Sequence, residues 1–90
     1  MGKLSGKVAL VSGGARGQGA AEAHAFAREG AKVVFGDILN TEGEAVEKAI
    51  VEAGGDAVYV QLDVTNEDHW RAAVDLAVQR YGRLDILVNN

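Results

Sequence analysis

Ninety residues with a formal net charge of -4, nearly half of them hydrophobic and about a quarter charged, make at most one small globular domain of modest stability. That balance excludes a disordered tail, and an acidic chain without a Lys/Arg cluster lacks the electrostatic footprint needed for nucleic acid or an anionic membrane. Cysteine is absent, which excludes disulfides, thiolate metal sites and thiol catalysis.

Residues 1–6, Met1-Gly2-Lys3-Leu4-Ser5-Gly6, carry no apolar core. No later apolar run approaches the length of a bilayer span, so a cytoplasmic address is expected. The first short apolar run, Val8 to Val11, reads as a strand. A helix follows from near Gly17 to Gly30, with Ala20, Ala23, Phe26 and Ala27 facing inward and Gly30 supplying a left-handed stop. Val33 to Phe35 is the second strand. In the second helix Thr41 and Glu44 have the spacing of a capping box, Val46, Ala49, Ile50 and Ala53 line one side, and Gly54-Gly55 close it. Ala57 to Leu62 is the third strand. The third helix opens around Thr65 to Asp68, buries Trp70, Ala73, Val74, Ala77 and Tyr81, and stops at Gly82. Leu84 to Val88 is the fourth strand.

The order β-α-β-α-β-α-β, with strands nearly continuous in apolar residues, predicts a parallel sheet covered by helices on both faces. Right-handed crossovers then give the strand order 3-2-1-4, the N-terminal half of a doubly wound, Rossmann-type three-layer αβα fold. Its ligand crevice is expected between strands one and four. Residues 1–90 read as one domain without linker, repeat or low-complexity segment.

Directly after the first strand comes Ser12-Gly13-Gly14-Ala15-Arg16-Gly17-Gln18-Gly19. Gly13 permits the tight turn, Gly17 lets backbone approach a pyrophosphate, and Gly19 lets helix and sheet pack closely. The helix N-terminus adds free N–H groups and a positive dipole end. The second strand ends at Asp37, about 20 residues beyond the glycines, where an acid accepts hydrogen bonds from adenosine ribose hydroxyls. Strand, glycines, helix, strand and acid together predict an adenine dinucleotide site. A carboxylate at Asp37 repels the 2′-phosphate of NADP and favours NAD, while Arg16 pulls mildly toward NADP.

These residues resemble the short-chain dehydrogenase/reductase family, whose turn reads Thr-Gly-x-x-x-Gly-x-Gly and whose fourth strand ends in Asn-Asn-Ala-Gly. Ser12 keeps the hydroxyl of that threonine, and the chain stops at Asn89-Asn90. Val-Ser-Gly-Gly-Ala-Arg-Gly and Gly-Asp-Ile-Leu look most like bacterial NAD-dependent hydroxysteroid and secondary-alcohol dehydrogenases. The resemblance implies that Arg16 and Gln18 face the cofactor, that Asp37 binds the ribose with Ile38 alongside, and that Asp63-Val64 hold the adenine. It also implies that Asn89 and Asn90 contact the nucleoside and brace the sheet. Without the family, Asp63 reads equally as a neighbour of a helix cap, and Asn89-Asn90 as a frayed end.

The tyrosine, lysine and serine of the family's proton chemistry have no counterparts here. Tyr59 is followed four residues on by Asp63 and Tyr81 by Asp85, so both read as packing residues. Ser12 lies in the turn and Ser5 in the N-terminal arm. His24 and His69 have no second ligand at metal spacing, and Ala20 stands where a Walker loop needs lysine. The expectation is therefore the N-terminal, cofactor-binding portion of a longer enzyme. That enzyme passes hydride between NAD and a secondary alcohol or ketone, and the resemblance implies a homo-oligomer when complete. The alternatives are a stand-alone nucleotide-binding module, for which Leu84 to Val88 would be an open edge, and an S-adenosylmethionine-binding fold, whose tighter Gly-x-Gly spacing this turn lacks.

Overall fold

The apolar runs Val8 to Val11 and Val33 to Phe35 become strands buried on both faces because helices pack on either side of them, whereas the fourth run, at the sheet edge, leaves Leu87 exposed. The computed structural model describes residues 2–90. Among them the chain order is β1 (Val8–Ser12), α1 (Gly17–Arg28), β2 (Lys32–Asp37), α2 (Asn40–Glu52), β3 (Asp56–Gln61), α3 (Glu67–Tyr81) and β4 (Ile86–Val88). All strand pairs are parallel and the order is β3-β2-β1-β4, as expected. Val11 lies opposite Phe35 of β2 and Val88 of β4, and Phe35 lies opposite Tyr59 of β3. The register therefore brings the C-terminal ends of the strands to one edge of the sheet.

Period-two alternation divides the strand residues between two cores. Val11, Val33, Phe35 and Ala57 join Ala23 of α1 and Ile50 of α2 on one face. Val8, Leu10 and Val34 join Ala73 and Ala77 of α3 on the other. Phe35 and Leu10 are fully buried, each adding about 1.5–3 kcal/mol of transfer free energy. The left-handed stop expected at Gly30 is present, with φ of 92°, and Gly82, the expected end of the third helix, is left-handed as well at 83°. Among the described residues no helix is long and apolar enough to cross a membrane.

Two details of α2 depart from expectation. The Thr41/Glu44 capping box does not form: the helix starts at Asn40, its N-cap is Leu39 without a side-chain cap bond, and Thr41 and Glu44 are exposed. The reason lies one turn upstream. Asp37 Oδ1 accepts the N–H groups of Ile38 (2.7 Å) and Leu39 (3.2 Å), which fixes the entry to the helix from the strand end. The buried stripe is also displaced, because Ala49 and Ala53 are exposed and Gly43 is buried with Ile50. A side chain at Gly43 would fall inside the ring of Tyr59, so glycine is what lets α2 lie against β3. The fourth strand is shorter than expected, with Leu84 and Asp85 in the loop before it.

Candidate functional site

The glycine-rich turn leaves β1 through Gly13 and enters α1 at Gly17, both in the left-handed region at φ of 64° and 61°. A β-carbon on Gly19 would collide with the carbonyl of Gly13, which is the close packing expected of the third glycine. Gly14 N–H donates to Gly36 O (3.0 Å) and Ala15 N–H to Asp37 Oδ2 (3.2 Å), so the turn is stitched to the end of β2. Among the described residues, no group accepts the backbone N–H of Gly17, Gln18 or Gly19. These are the orphan donors of a helix start, aimed with the positive end of its dipole.

Ser12 joins the turn to the end of β4. Its buried Oγ donates to Asn89 Oδ1 (2.9 Å) and accepts from Asn90 N–H (2.9 Å), while Ser12 O accepts from Asn90 Nδ2 (2.9 Å). Asn90 Nδ2 also donates to Glu22 Oε1 of α1 (2.7 Å). The asparagine pair is thus tied down rather than frayed.

At the end of β3 nearly every polar group of Asp63-Val64 has a partner. Asp63 N–H donates to His69 Nδ1 (2.9 Å), and Asp63 O accepts from Asn66 N–H (2.9 Å). Asp63 Oδ1 accepts from Thr65 Oγ1 (2.6 Å) and Thr65 N–H (2.9 Å), bonds that hold its carboxyl below the ordinary value. Val64 O accepts from Trp70 Nε1 (2.9 Å). Among the described residues, Asp63 Oδ2 and Val64 N–H keep no partner.

A cleft of about 220 Å³ runs between these strand ends, lined by Gly13, Asp37, Ile38, Leu62, Asp63, Val64 and Asn90. Six of the expected residues meet there, and buried Leu62 forms the floor that the sequence did not single out. Ile38 and Val64 remain 62% and 47% exposed; Val51, Val78 and Leu87 are exposed elsewhere on the surface, but Ile38 and Val64 stand at the cleft. Arg16, Gly17, Gln18, Gly19 and Asn89 do not line it. Arg16, Gly17 and Gln18 lie exposed along the turn, the Gln18 side chain turns to Glu22 Oε2 (3.3 Å), and Asn89 is occupied with Ser12. A larger concavity of about 280 Å³ lies at the C-terminal ends of α1 and α2, lined by His24, Ala27, Arg28, Ile50, Ala53, Gly54 and Gly55. It gathers none of the expected residues.

Both tyrosine hydroxyls are engaged internally. Tyr59 donates to Asp37 O (2.6 Å) with the Asn40 amide oxygen at 2.7 Å, and its pKa is raised by burial and by Asp37, Glu44 and Glu42. Tyr81 donates to Asp56 Oδ1 (2.7 Å).

The family model of the short chain dehydrogenases matches residues 7–90. A 3-alpha-(or 20-beta)-hydroxysteroid dehydrogenase of Mycobacterium tuberculosis is 60% identical over 89 residues, which are 99% of this chain and 33% of that protein. The chain thus spans about a third of the length of the curated relatives it matches. A hydroxysteroid dehydrogenase crystal structure from Escherichia coli superposes with a TM-score of 0.93 at 39% identity, covering 97% of this chain and 37% of that one. A metagenomic short-chain oxidoreductase crystallised in complex with NADP gives 0.88 at 41% identity, covering 97% of this chain and 39% of that one. The chain belongs to the short-chain dehydrogenase family.

Proposed function

We propose that this chain holds the adenosine and pyrophosphate end of NAD, as the cofactor-binding portion of an oxidoreductase acting on a secondary alcohol or ketone of hydroxysteroid-like character. The observation that carries this reading is the convergence of Gly13, Asp37, Ile38, Asp63, Val64 and Asn90 on one cleft at the C-terminal edge of a parallel sheet. Nicotinamide, when bound, supplies the hydride acceptor or donor. The residues of this chain bind and orient. Gly17, Gln18 and Gly19 offer free N–H groups to the pyrophosphate, with Arg16 beside them in the turn. Among the described residues Asp37 Oδ2 has one partner, Ala15 N–H, and so retains capacity for a ribose hydroxyl. Asp63 Oδ2 and Val64 N–H offer an acceptor and a donor to the adenine edge, Ile38 and Val64 cover its faces, and Asn89-Asn90 close the nucleoside side.

NAD is preferred over NADP in this reading because the 2′-phosphate would stand against the Asp37 carboxylate, a like-charge contact without a cation of β2 or α2 in the cleft lining. Relatives about three times as long as this chain fit a complete enzyme in which further residues move the substrate proton.

Calorimetric titration of the chain with NAD, NADP and S-adenosylmethionine tests the proposal. NAD should bind tightest, and Asp37→Ala should weaken NAD by about tenfold or more, since a hydrogen bond to a charged group is lost, while NADP should bind tighter because the like-charge contact of its 2′-phosphate is removed. NADP binding as tightly as NAD would overturn the cofactor assignment. Binding of S-adenosylmethionine alone would replace the whole reading.

A further inference from the structure

We infer that His69 is a positioning residue that sets the donor and acceptor which Asp63 and Val64 present to the adenine edge. The inference rests on the dinucleotide reading of the cleft and adds to it a residue outside the cleft lining.

Most hydrogen-bonding groups of this corner are taken up within the chain. Asp63 N–H is taken by His69 Nδ1, Asp63 O by Asn66 N–H, Asp63 Oδ1 by Thr65, and Val64 O by the Trp70 indole. Two groups remain without a partner among the described residues, Val64 N–H and Asp63 Oδ2. Adenine presents a ring nitrogen that accepts beside an amino group that donates, so these two free groups complement it. Hypoxanthine reverses both, with a ring N–H beside a carbonyl oxygen.

Of the bonds around this corner, the one from Asp63 N–H to His69 Nδ1 is made by a side chain from the first turn of α3 to backbone six residues earlier. The acceptor role requires Nδ1 to be without a proton, so the imidazole is the tautomer with its proton on Nε2. The ring is held in turn: Asn66 Oδ1 accepts the N–H groups of Asp68 (2.9 Å) and His69 (3.2 Å), capping α3 just where the ring leaves it. Asn66 N–H closes the loop onto Asp63 O. The peptide between Leu62 and Asp63 is thereby oriented from α3, and Leu62 is the buried floor of the cleft. Without the Nδ1 acceptor this peptide can rotate, and the Asp63 carboxylate and Val64 N–H lose their fixed spacing. Asparagine at position 69 has a side-chain oxygen that reaches the place of Nδ1. Leucine fills similar volume without an acceptor, and glutamine carries its oxygen one bond too far.

The experiment compares NAD with nicotinamide hypoxanthine dinucleotide on the wild-type chain and on His69→Leu, His69→Asn and His69→Gln, each checked for folding by circular dichroism. Wild type should prefer NAD. His69→Leu and His69→Gln should each reduce that preference by about fivefold, the worth of one uncharged hydrogen bond, and His69→Asn should restore it. In the free proteins, hydrogen exchange at the Asp63 amide should be slow in wild type and His69→Asn and fast in His69→Leu and His69→Gln. A folded His69→Leu or His69→Gln chain with the full wild-type preference overturns the role of His69. Wild type without a preference between the two dinucleotides overturns the adenine role of Asp63-Val64 and this inference with it, whereas failure to bind either dinucleotide removes the reading beneath both.

Discussion

Ser12→Ala separates a hydroxyl that merely tolerates burial from one that fastens two strand ends together. The side chain is fully buried, and its oxygen makes two bonds to residues 77 and 78 positions away, donating to Asn89 Oδ1 and accepting from Asn90 N–H, both at 2.9 Å. Alanine removes both. Asn89 is exposed and its oxygen regains water, so that bond counts for about 1 kcal/mol or less. The Asn90 N–H, on an exposed residue but in a part-buried bond, loses its acceptor, which adds about 1 kcal/mol. The expected destabilisation is about 2 kcal/mol. For a domain whose urea dependence is about 1 kcal/mol per molar, the unfolding midpoint followed by circular dichroism falls by about 2 M. Ser12→Thr keeps the hydroxyl, and the family's turn carries threonine there, so it should lose less than half as much. An alanine variant unfolding within about 0.3 M of wild type would refute the claim that this hydroxyl anchors β4 to the glycine-rich turn.

Alanine at the two site glycines should act by different physics. Gly17→Ala meets open space but a φ of 61°, costing about 1–2 kcal/mol, and Gly17→Asn should recover part of the loss because asparagine visits that region. Gly19→Ala collides with the Gly13 carbonyl, costs about 1–3 kcal/mol, and should not be relieved by asparagine; chemical denaturation of the four variants checks the pattern. Acid titration of stability tests the loop before β4. Bonds from Arg83 and from Val8 N–H hold the Asp85 carboxyl below its ordinary value. Its contribution is therefore fully present above the unfolded carboxylate pKa of about 4 and is lost as the pH falls through the lower folded value. Asp85→Asn should flatten the stability profile in that acid window, and an unchanged slope would show that the pair contributes nothing.

The apolar runs made the strands and their order legible because burial on both faces leaves little room for polar residues, and the observed sheet has the order they implied. The glycine turn was legible for a related reason, since left-handed backbone at Gly13 and Gly17 and contact at Gly19 each exclude a side chain. The start of α2 was not. Thr41 and Glu44 have capping-box spacing, yet the Asp37 carboxylate takes the preceding N–H groups and moves the start to Asn40. Nor was its buried stripe, because Gly43 carries no hydrophobic signal and is buried only by virtue of the Tyr59 ring supplied from β3. The resemblance implies that Gln18 faces a cofactor from the turn; its side-chain amide donates to Glu22, one helical turn along α1, while its backbone N–H has no acceptor among the described residues. The roles of Leu62, Glu22 and His69 around the cleft had no sequence signal at all. They follow from where the β3 and β4 ends stop relative to α1 and α3, which no local spacing records.

In the proposed function the cleft at the strand ends with the adjoining glycine-rich turn, and not the larger concavity between α1 and α2, receives the adenosine and pyrophosphate end of NAD. Amide chemical-shift mapping of the chain during titration with NAD tests this placement most directly. Shifts are expected at Gly17, Gln18, Gly19, Ile38, Val64 and Asn90, with His24, Gly54 and Gly55 unmoved. Shifts gathered at His24, Gly54 and Gly55, or no shift in the cleft at saturating NAD, would contradict it.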